Sequence, residues 1–336
     1  MRVAYLYLCS VVLLPGMGLG QDVHFSQFFN APMDLNPAMT SVHRADMRLA
    51  AVYRNQWTTV PVPYTTFGVS FDMKWYPTYA LKHFWGFGGK LLYDYAGDSR
   101  LEILDANLMG AYHFIPSRRN ILSLGASVNV GRRAFGVESL RFPNQWDGER
   151  YNPGLDPQEP FARLDFVFVD LAGGIHYRYQ HSPRTWLNIG GAYHHFLRAQ
   201  QTFYSNGTDV PRFSRLNASA QLSLQLVRRL DLLASAMWQR QEVYREIVAG
   251  GLFRWYLSLV PGRELALDLG AGWRVDDAII PQLALHYRNW YVGLSYDYNY
   301  SPFKVATTGR GGPEMHVQYY FFRPTPPTQF KSCPVY

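Results

Sequence analysis

Nine charged or titratable side chains stand at positions where they would act as a set: Arg48, Arg54, Asp72, Lys74, Asp268, Arg274, Asp297, Glu314 and His316. Each lies in a run whose alternate positions are apolar, so all of them project from a polar face. Both signs are mixed and no ring of a single sign forms. This mixture suits cross-strand ion pairs and hydrogen-bonded ladders inside an enclosed space, where an unpaired charge is costly. The other use for such a set is a polar path for a solute.

Catalytic chemistry is not indicated. There is no G-x-S-x-G elbow. In a strand running 184–198, the pair His194-His195 alternates to opposite faces and cannot chelate one ion. His176, His286 and His316 stand singly. Asp276-Asp277, and Asp165 with Asp170, lack the spacing of a calcium loop. GRGG at 309–312 falls between strands and not before a helix, so it is no phosphate cradle. Basic residues do not gather into a nucleic-acid stripe. The expectation is a chain without enzymatic activity, cofactor, metal site or nucleic-acid partner.

The elements that must position the charged set read as strands. In LALDLGAGWRV (265–275), Leu265, Leu267, Leu269, Ala271, Trp273 and Val275 share one face, and Ala266, Asp268, Gly270, Gly272 and Arg274 the other. YVGLSYDYNY (291–300) and LNASAQLSLQL (216–226) alternate in the same way. About fourteen such runs fill residues 46–323, and many exceed the ~9–11 residues that cross a tilted bilayer. Aromatics make up 16% of the chain and charged residues only 17%, below the roughly 25% usual in soluble domains. After the first twenty residues no apolar run of eighteen exists. Together these features predict an all-β outer-membrane barrel of about 14 antiparallel strands.

The connections agree. Every second one is brief (YPTYALK, PSR, HSP, a turn near Arg229, PGR, a turn at Asn289) and would face the periplasm. The long spans 134–164, 199–212 and 301–312 would face outward. Trp57, Trp75, Trp85, Trp186, Trp238, Trp290, Tyr298 and Tyr300 lie near strand ends, as interfacial girdles require. The net charge of +7 suits an anionic neighbour.

Four parts follow: a leader at 1–20, an irregular segment at 21–45, a barrel at 46–323 and a Pro-rich periplasmic tail at 324–336. The leader has one basic residue, Arg2, then an apolar run, then Gly18 and Gly20 before a cut at Gln21, as a secretory signal does. That leaves Cys333 as the lone thiol, which cannot form an internal disulfide. The segment HFSQFFNAPMDLNPAMTS (24–41) has no strand or helix period, and its Asn and Pro residues turn the chain back on itself. Its apolar side chains need a buried home. Phe25, Phe28, Phe29, Asn36 and Pro37 are therefore the candidates for occluding the lumen at its periplasmic mouth.

HFSQFFNAPMDLNPAMTS, RLAAVYRNQW (48–57) and TTFGVSFDM (65–73) resemble the N-terminal signature of the PorP/SprF family. GAGWRVDDAIIPQLALHYRNWYVGLSYDYNYSPF (270–303), GGPEMHVQYYF (311–321) and the KSCPVY tail are similar to the family's closing strands and end. The resemblance implies an outer-membrane component of the type IX secretion and gliding machinery of Bacteroidota. It implies association with periplasmic ring or lipoprotein subunits, and help in exporting or anchoring secreted cargo or adhesins. A transporter for hydrophobic or small solutes is the competing expectation.

Overall fold

The computed structural model describes residues 22–57, 59–60, 63–77, 82–97, 100–137, 140–159, 161–204, 210–302 and 304–323. The expected leader, the tail at 324–336 and Cys333 lie outside them.

Fourteen antiparallel strands close into one barrel. They are β1 (Met47–Gln56), β2 (Tyr64–Trp75), β3 (His83–Ala96), β4 (Leu101–Ser117), β5 (Asn120–Ala134), β6 (Asp165–Gln180) and β7 (Trp186–His194). The second half holds β8 (Arg215–Val227), β9 (Leu230–Gln241), β10 (Tyr244–Ser258), β11 (Leu265–Arg274), β12 (Ala278–Tyr287), β13 (Trp290–Asn299) and β14 (Arg310–Phe321). Each strand pairs with its sequence neighbours. The seam joins β1 to β14 in register from Met47 with Phe321 to Arg54 with Glu314. Closure leaves no strand edge unpaired, which a sheet in hydrocarbon requires.

Side chains alternate as the period-two pattern demands. On β4 and β6, Leu108 (74% exposed) and Ile175 (63%) point outward, while Asp105, His113, Asp170 and His176 are buried toward the lumen. On β11, Leu267, Leu269 and Trp273 face out, and Asp268 and Arg274 face in. The outward face is thus apolar and fit for lipid, and the inward face is polar.

Both ends of the barrel chain lie at one rim, and the connections there are short. Arg118–Arg119, Arg228–Arg229 and Arg288–Asn289 are two-residue turns, the tightest hairpin connection. Arg288 takes a left-handed φ of 54° in its turn. The opposite rim carries the long spans between β5 and β6, β7 and β8, and β13 and β14, although β9–β10 and β11–β12 are also tightly joined there. By the short-turn rule the first rim is periplasmic. The long loops are tied together by aromatics: the Phe161 ring lies 5.1 Å from Phe135 and 5.2 Å from Tyr204, and Phe135 lies 4.5 Å from Phe203.

Candidate functional site: the filled lumen

Residues 22–46 run through the inside of the barrel as short turns: 3-10 turns at Phe28–Asn30 and Pro37–Met39 flank one α-turn at Pro32–Leu35. Pro32 and Pro37 start their turns at positions where the missing N–H is not needed. The Asn36 side chain caps the last turn by accepting from Ala38 N at 2.8 Å.

The segment enters at the periplasmic rim, where Asp46 N donates to Phe321 O at 3.0 Å and Lys74 N donates to Asp46 O at 2.9 Å. Asp72 of β2 then grips it. Its carboxylate accepts Ser41 N at 2.6 Å and takes both arms of the Arg48 guanidinium at 2.9 and 3.0 Å. Deeper in, His113 of β4 meets Thr40 O at 2.9 Å. The Asn36 amide donates to the carbonyls of Ile175 and Gly191 at 2.8 and 3.1 Å. This approach needs bare wall: a Cβ on Gly125 would overlap Ala38 N, and one on Gly174 would overlap the Asn36 amide oxygen. His194 donates to Leu35 O at 3.1 Å.

The strongest grip is a charged cluster. Glu314 of β14 accepts the backbone N–H groups of Ser26 and Gln27, both at 2.7 Å. Arg54 of β1 reaches Glu314 at 2.6 Å and Asp297 of β13 at 2.8 Å. Arg274 of β11 reaches Asp297 and Glu246, both at 2.9 Å. The Ser26 hydroxyl accepts from Arg54 and Arg274 at 2.5 and 2.7 Å and donates to Asp297 at 2.6 Å. Every charge in this cluster has a countercharge, the condition under which buried ions are tolerated.

Apolar burial adds to these bonds. Phe28 and Leu35 pack with Met237, Val248, Ala278 and Ile280, with Phe29 against them. Phe25 packs with Val52 and Leu92, and its ring meets the edge of His316 at 5.8 Å. Each fully buried Phe contributes about 1.5–3 kcal/mol. At its far end Asp22 contacts His195 at 2.5 Å and Arg212 at 3.0 Å. Burial alone would raise the Asp22 carboxyl, but Arg212, His195 and Arg215 hold it well below the usual carboxylate range. Burial pushes His24 and His43 down, toward the neutral imidazole, against the opposing pull of Glu246 and Asp72.

The sequence-based candidates are thus distributed as follows. Phe25, Phe28, Asn36 and Pro37 are buried in the lumen, and Phe29 is half-buried. Arg48 and Asp72 form one pair, while Arg54, Arg274, Asp297 and Glu314 meet in one cluster that also takes His316, 3.0 Å from Glu314. Asp268 stands apart, bound to Arg254 at 2.8 Å and His286 at 2.9 Å. Lys74 forms no ion pair among the described residues; its ammonium bonds the His43 carbonyl and lies 5.7 Å over Phe84.

Two expectations need correction. The segment does not cap the periplasmic mouth. It climbs past the middle of the lumen because its carboxylate partners on β13 and β14 lie toward the loop end. Below it remains a vestibule of about 430 Å³ that reaches the periplasmic rim, and above it a cavity of about 110 Å³ beside Asp22 and Arg212. Nor do His194 and His195 point to opposite faces. The strand stops at His194, His195 takes a left-handed φ of 65°, and both rings are buried inside. His195 there bridges Asp22 and Asp170, each at 2.5 Å. Sequence reading also passed over Glu246, His113 and Arg212. Glu246 and His113 sit at inward positions of their strands, which is the signal that could have found them.

Among solved structures the chain is similar to a Pseudomonas aeruginosa FadL homologue, at 11% identity over 85% of this chain and 93% of that one, with a TM-score of 0.49. It is similar to the P. putida toluene transporter TodX, at 11% identity, 86% and 93% coverage and a TM-score of 0.46. It is also similar to the translocator domain of the autotransporter NalP from Neisseria meningitidis, at 11% identity, 88% and 96% coverage and a TM-score of 0.33. No curated protein sequence matches it. The family profile described as type IX secretion system membrane protein PorP/SprF matches residues 18–310. With a closed transmembrane barrel bearing that profile across most of its length, this outer-membrane chain belongs to the PorP/SprF family of type IX secretion system membrane proteins.

Proposed function

We propose that the protein works as a closed, membrane-embedded docking subunit of the secretion machinery, holding partners at its two rims and conducting nothing through its lumen. The observation that carries this reading is the internal segment: its backbone is gripped at Ser41 by Asp72 and at Ser26 and Gln27 by Glu314, with Arg54 and Arg274 locking the second grip. A lumen held shut by paired buried charges suits binding better than transport. The periplasmic rim is the side available to ring or lipoprotein subunits. The loop rim, where the Phe135 ring meets Phe161 and Phe203, is the side available to secreted cargo or adhesins. Binding, with no catalysis, is the whole of the activity.

Two experiments test this. Vesicles containing the purified barrel should stay tight to small polar solutes and to hydrophobic dyes; rapid flux of either would favour a transporter. Deleting residues 140–160 should leave the barrel inserted and abolish cargo retention at the cell surface, and unchanged retention would remove the cargo-face reading.

A further inference from the structure

The periplasmic rim carries cations that form no ion pair among the described residues. Arg118 and Arg119 form the β4–β5 turn, Arg228 and Arg229 the β8–β9 turn, Arg263 lies between β10 and β11, and Arg288 lies between β12 and β13. All six are exposed. Among the described residues of the short turns, Glu264 is the one acid. The opposite rim is different, because Asp147, Glu149, Glu242 and Asp276 offset its cations.

The excess continues into the vestibule. Arg178 of β6 lines it at 7% exposure. Its guanidinium donates to Gln180 at 2.8 Å and Asn188 at 3.2 Å and lies 4.7 Å from the Trp186 ring, and these three partners are neutral. Arg44 lines the same space. Among the described residues neither forms an ion pair. The buried vestibule carboxylates are already engaged, Asp231 by Arg184 at 2.6 Å and Asp268 by Arg254 and His286.

We propose that this end receives an acidic protein segment, an Asp/Glu-rich stretch of a periplasmic partner whose tip enters the vestibule to Arg178 while its flanks meet the arginine ring. A buried guanidinium without a countercharge favours a carboxylate at that point. Phospholipid headgroups meet the outer wall of a barrel and not its interior, so they leave Arg178 unmatched. The ring outside supplies long-range attraction that brings such a segment to the mouth. This inference rests on the reading that a partner docks at the periplasmic rim, and it names that partner's chemistry.

The test uses the full-length barrel in detergent micelles and a fluorescent deca-glutamate peptide, with deca-glutamine as the comparison. Saturable binding of deca-glutamate that weakens steadily with added salt is expected, since exposed charges are screened. The combined variant Arg118→Glu, Arg119→Glu, Arg228→Glu, Arg229→Glu should bind about tenfold or more weakly, because several exposed pairs act together. Arg178→Gln should weaken binding while leaving the ring intact. Heat-modifiable migration on gels confirms that each variant is folded. Equal binding of the two peptides would overturn the proposal. So would competition by phosphatidylglycerol vesicles combined with an unchanged Arg178→Gln variant, which would mark a headgroup-binding ring. If machinery subunits co-purify with the four-fold variant at wild-type yield, the acidic-segment inference falls and rim docking stands. If none co-purify with the wild type, rim docking falls, and the peptide measurement still judges the site.

Discussion

Glu314→Gln is the sharpest perturbation of the lumen. The carboxylate is fully buried and takes four donors: Ser26 N and Gln27 N at 2.7 Å, Arg54 at 2.6 Å and His316 at 3.0 Å. Glutamine keeps the shape but loses the charge and turns one oxygen into an amide donor. If the amide replaces Oε2 it opposes Ser26 N–H and Arg54, and if it replaces Oε1 it opposes Gln27 N–H. Either way at least one charge-assisted bond, worth about 1.5–3 kcal/mol, becomes a donor facing a donor. Arg54 keeps Asp297, so the pair is weakened and not abandoned. The sum is a loss of about 3 kcal/mol from the seat of residues 22–46, on the order of a hundredfold in the equilibrium between seated and released segment. When opening is fast relative to cleavage, nicking follows the released population. Protease cutting between Phe25 and Phe29 in the folded barrel should therefore rise about a hundredfold, while the barrel itself stays heat-modifiable on gels. Exposed Glu264→Gln should change nothing. Nicking at the wild-type rate in Glu314→Gln would refute the assignment of this carboxylate as the anchor.

Other outcomes follow from the same geometry. Gly125→Ala places a methyl onto the backbone of Ala38; overpacking of this kind costs about 1–3 kcal/mol, and nicking of the segment should rise accordingly, with an unchanged rate showing that the contact is dispensable. Acidification from about pH 7.5 to about pH 5.5 should loosen the seat. Burial lowers the folded-state pKa of His24 and His43 below the ordinary 6.5, so the released state binds more protons. The contribution is complete above 6.5 and declines as pH falls below it. Hydrogen exchange of residues 24–43 reads this, and equal protection at both pH values would contradict it. Leu108→Arg, near the middle of β4 on the lipid face, should destabilise the barrel in vesicles by about 2–4 kcal/mol, measured by urea unfolding, whereas a loss close to zero would place Leu108 outside the hydrocarbon.

The strands were legible because lipid on one side and a polar lumen on the other force a strict period of two, and residues such as Leu267, Asp268 and Leu269 carry it without ambiguity. The internal segment was legible by elimination, since Phe25 and Phe28 in a run without regular period need burial somewhere. Its depth was not legible. That depends on which strand offers a carboxylate at which height, and the pairing of Arg54 with Glu314, 260 positions apart in the chain, is a property of barrel closure. Asp268 belonged to the polar face as expected, but its neighbours Arg254 and His286 come from strands on either side of it, so it joined a separate group. His195 escaped because one left-handed residue cancels the alternation on which the reading relied.

The carboxylates that grip the internal segment, Asp72, Glu314 and Asp297, sit on β2, β14 and β13, and with Arg54 of β1 they span four consecutive strands that flank the line where the cylinder zips shut. Ser26, Gln27 and Ser41 therefore bridge the first and last pieces of the wall to be made, as a rivet holds the two lips of a rolled plate. Closing the wall and filling it draw on the same bonds, so a barrel built without residues 22–41 should close less completely.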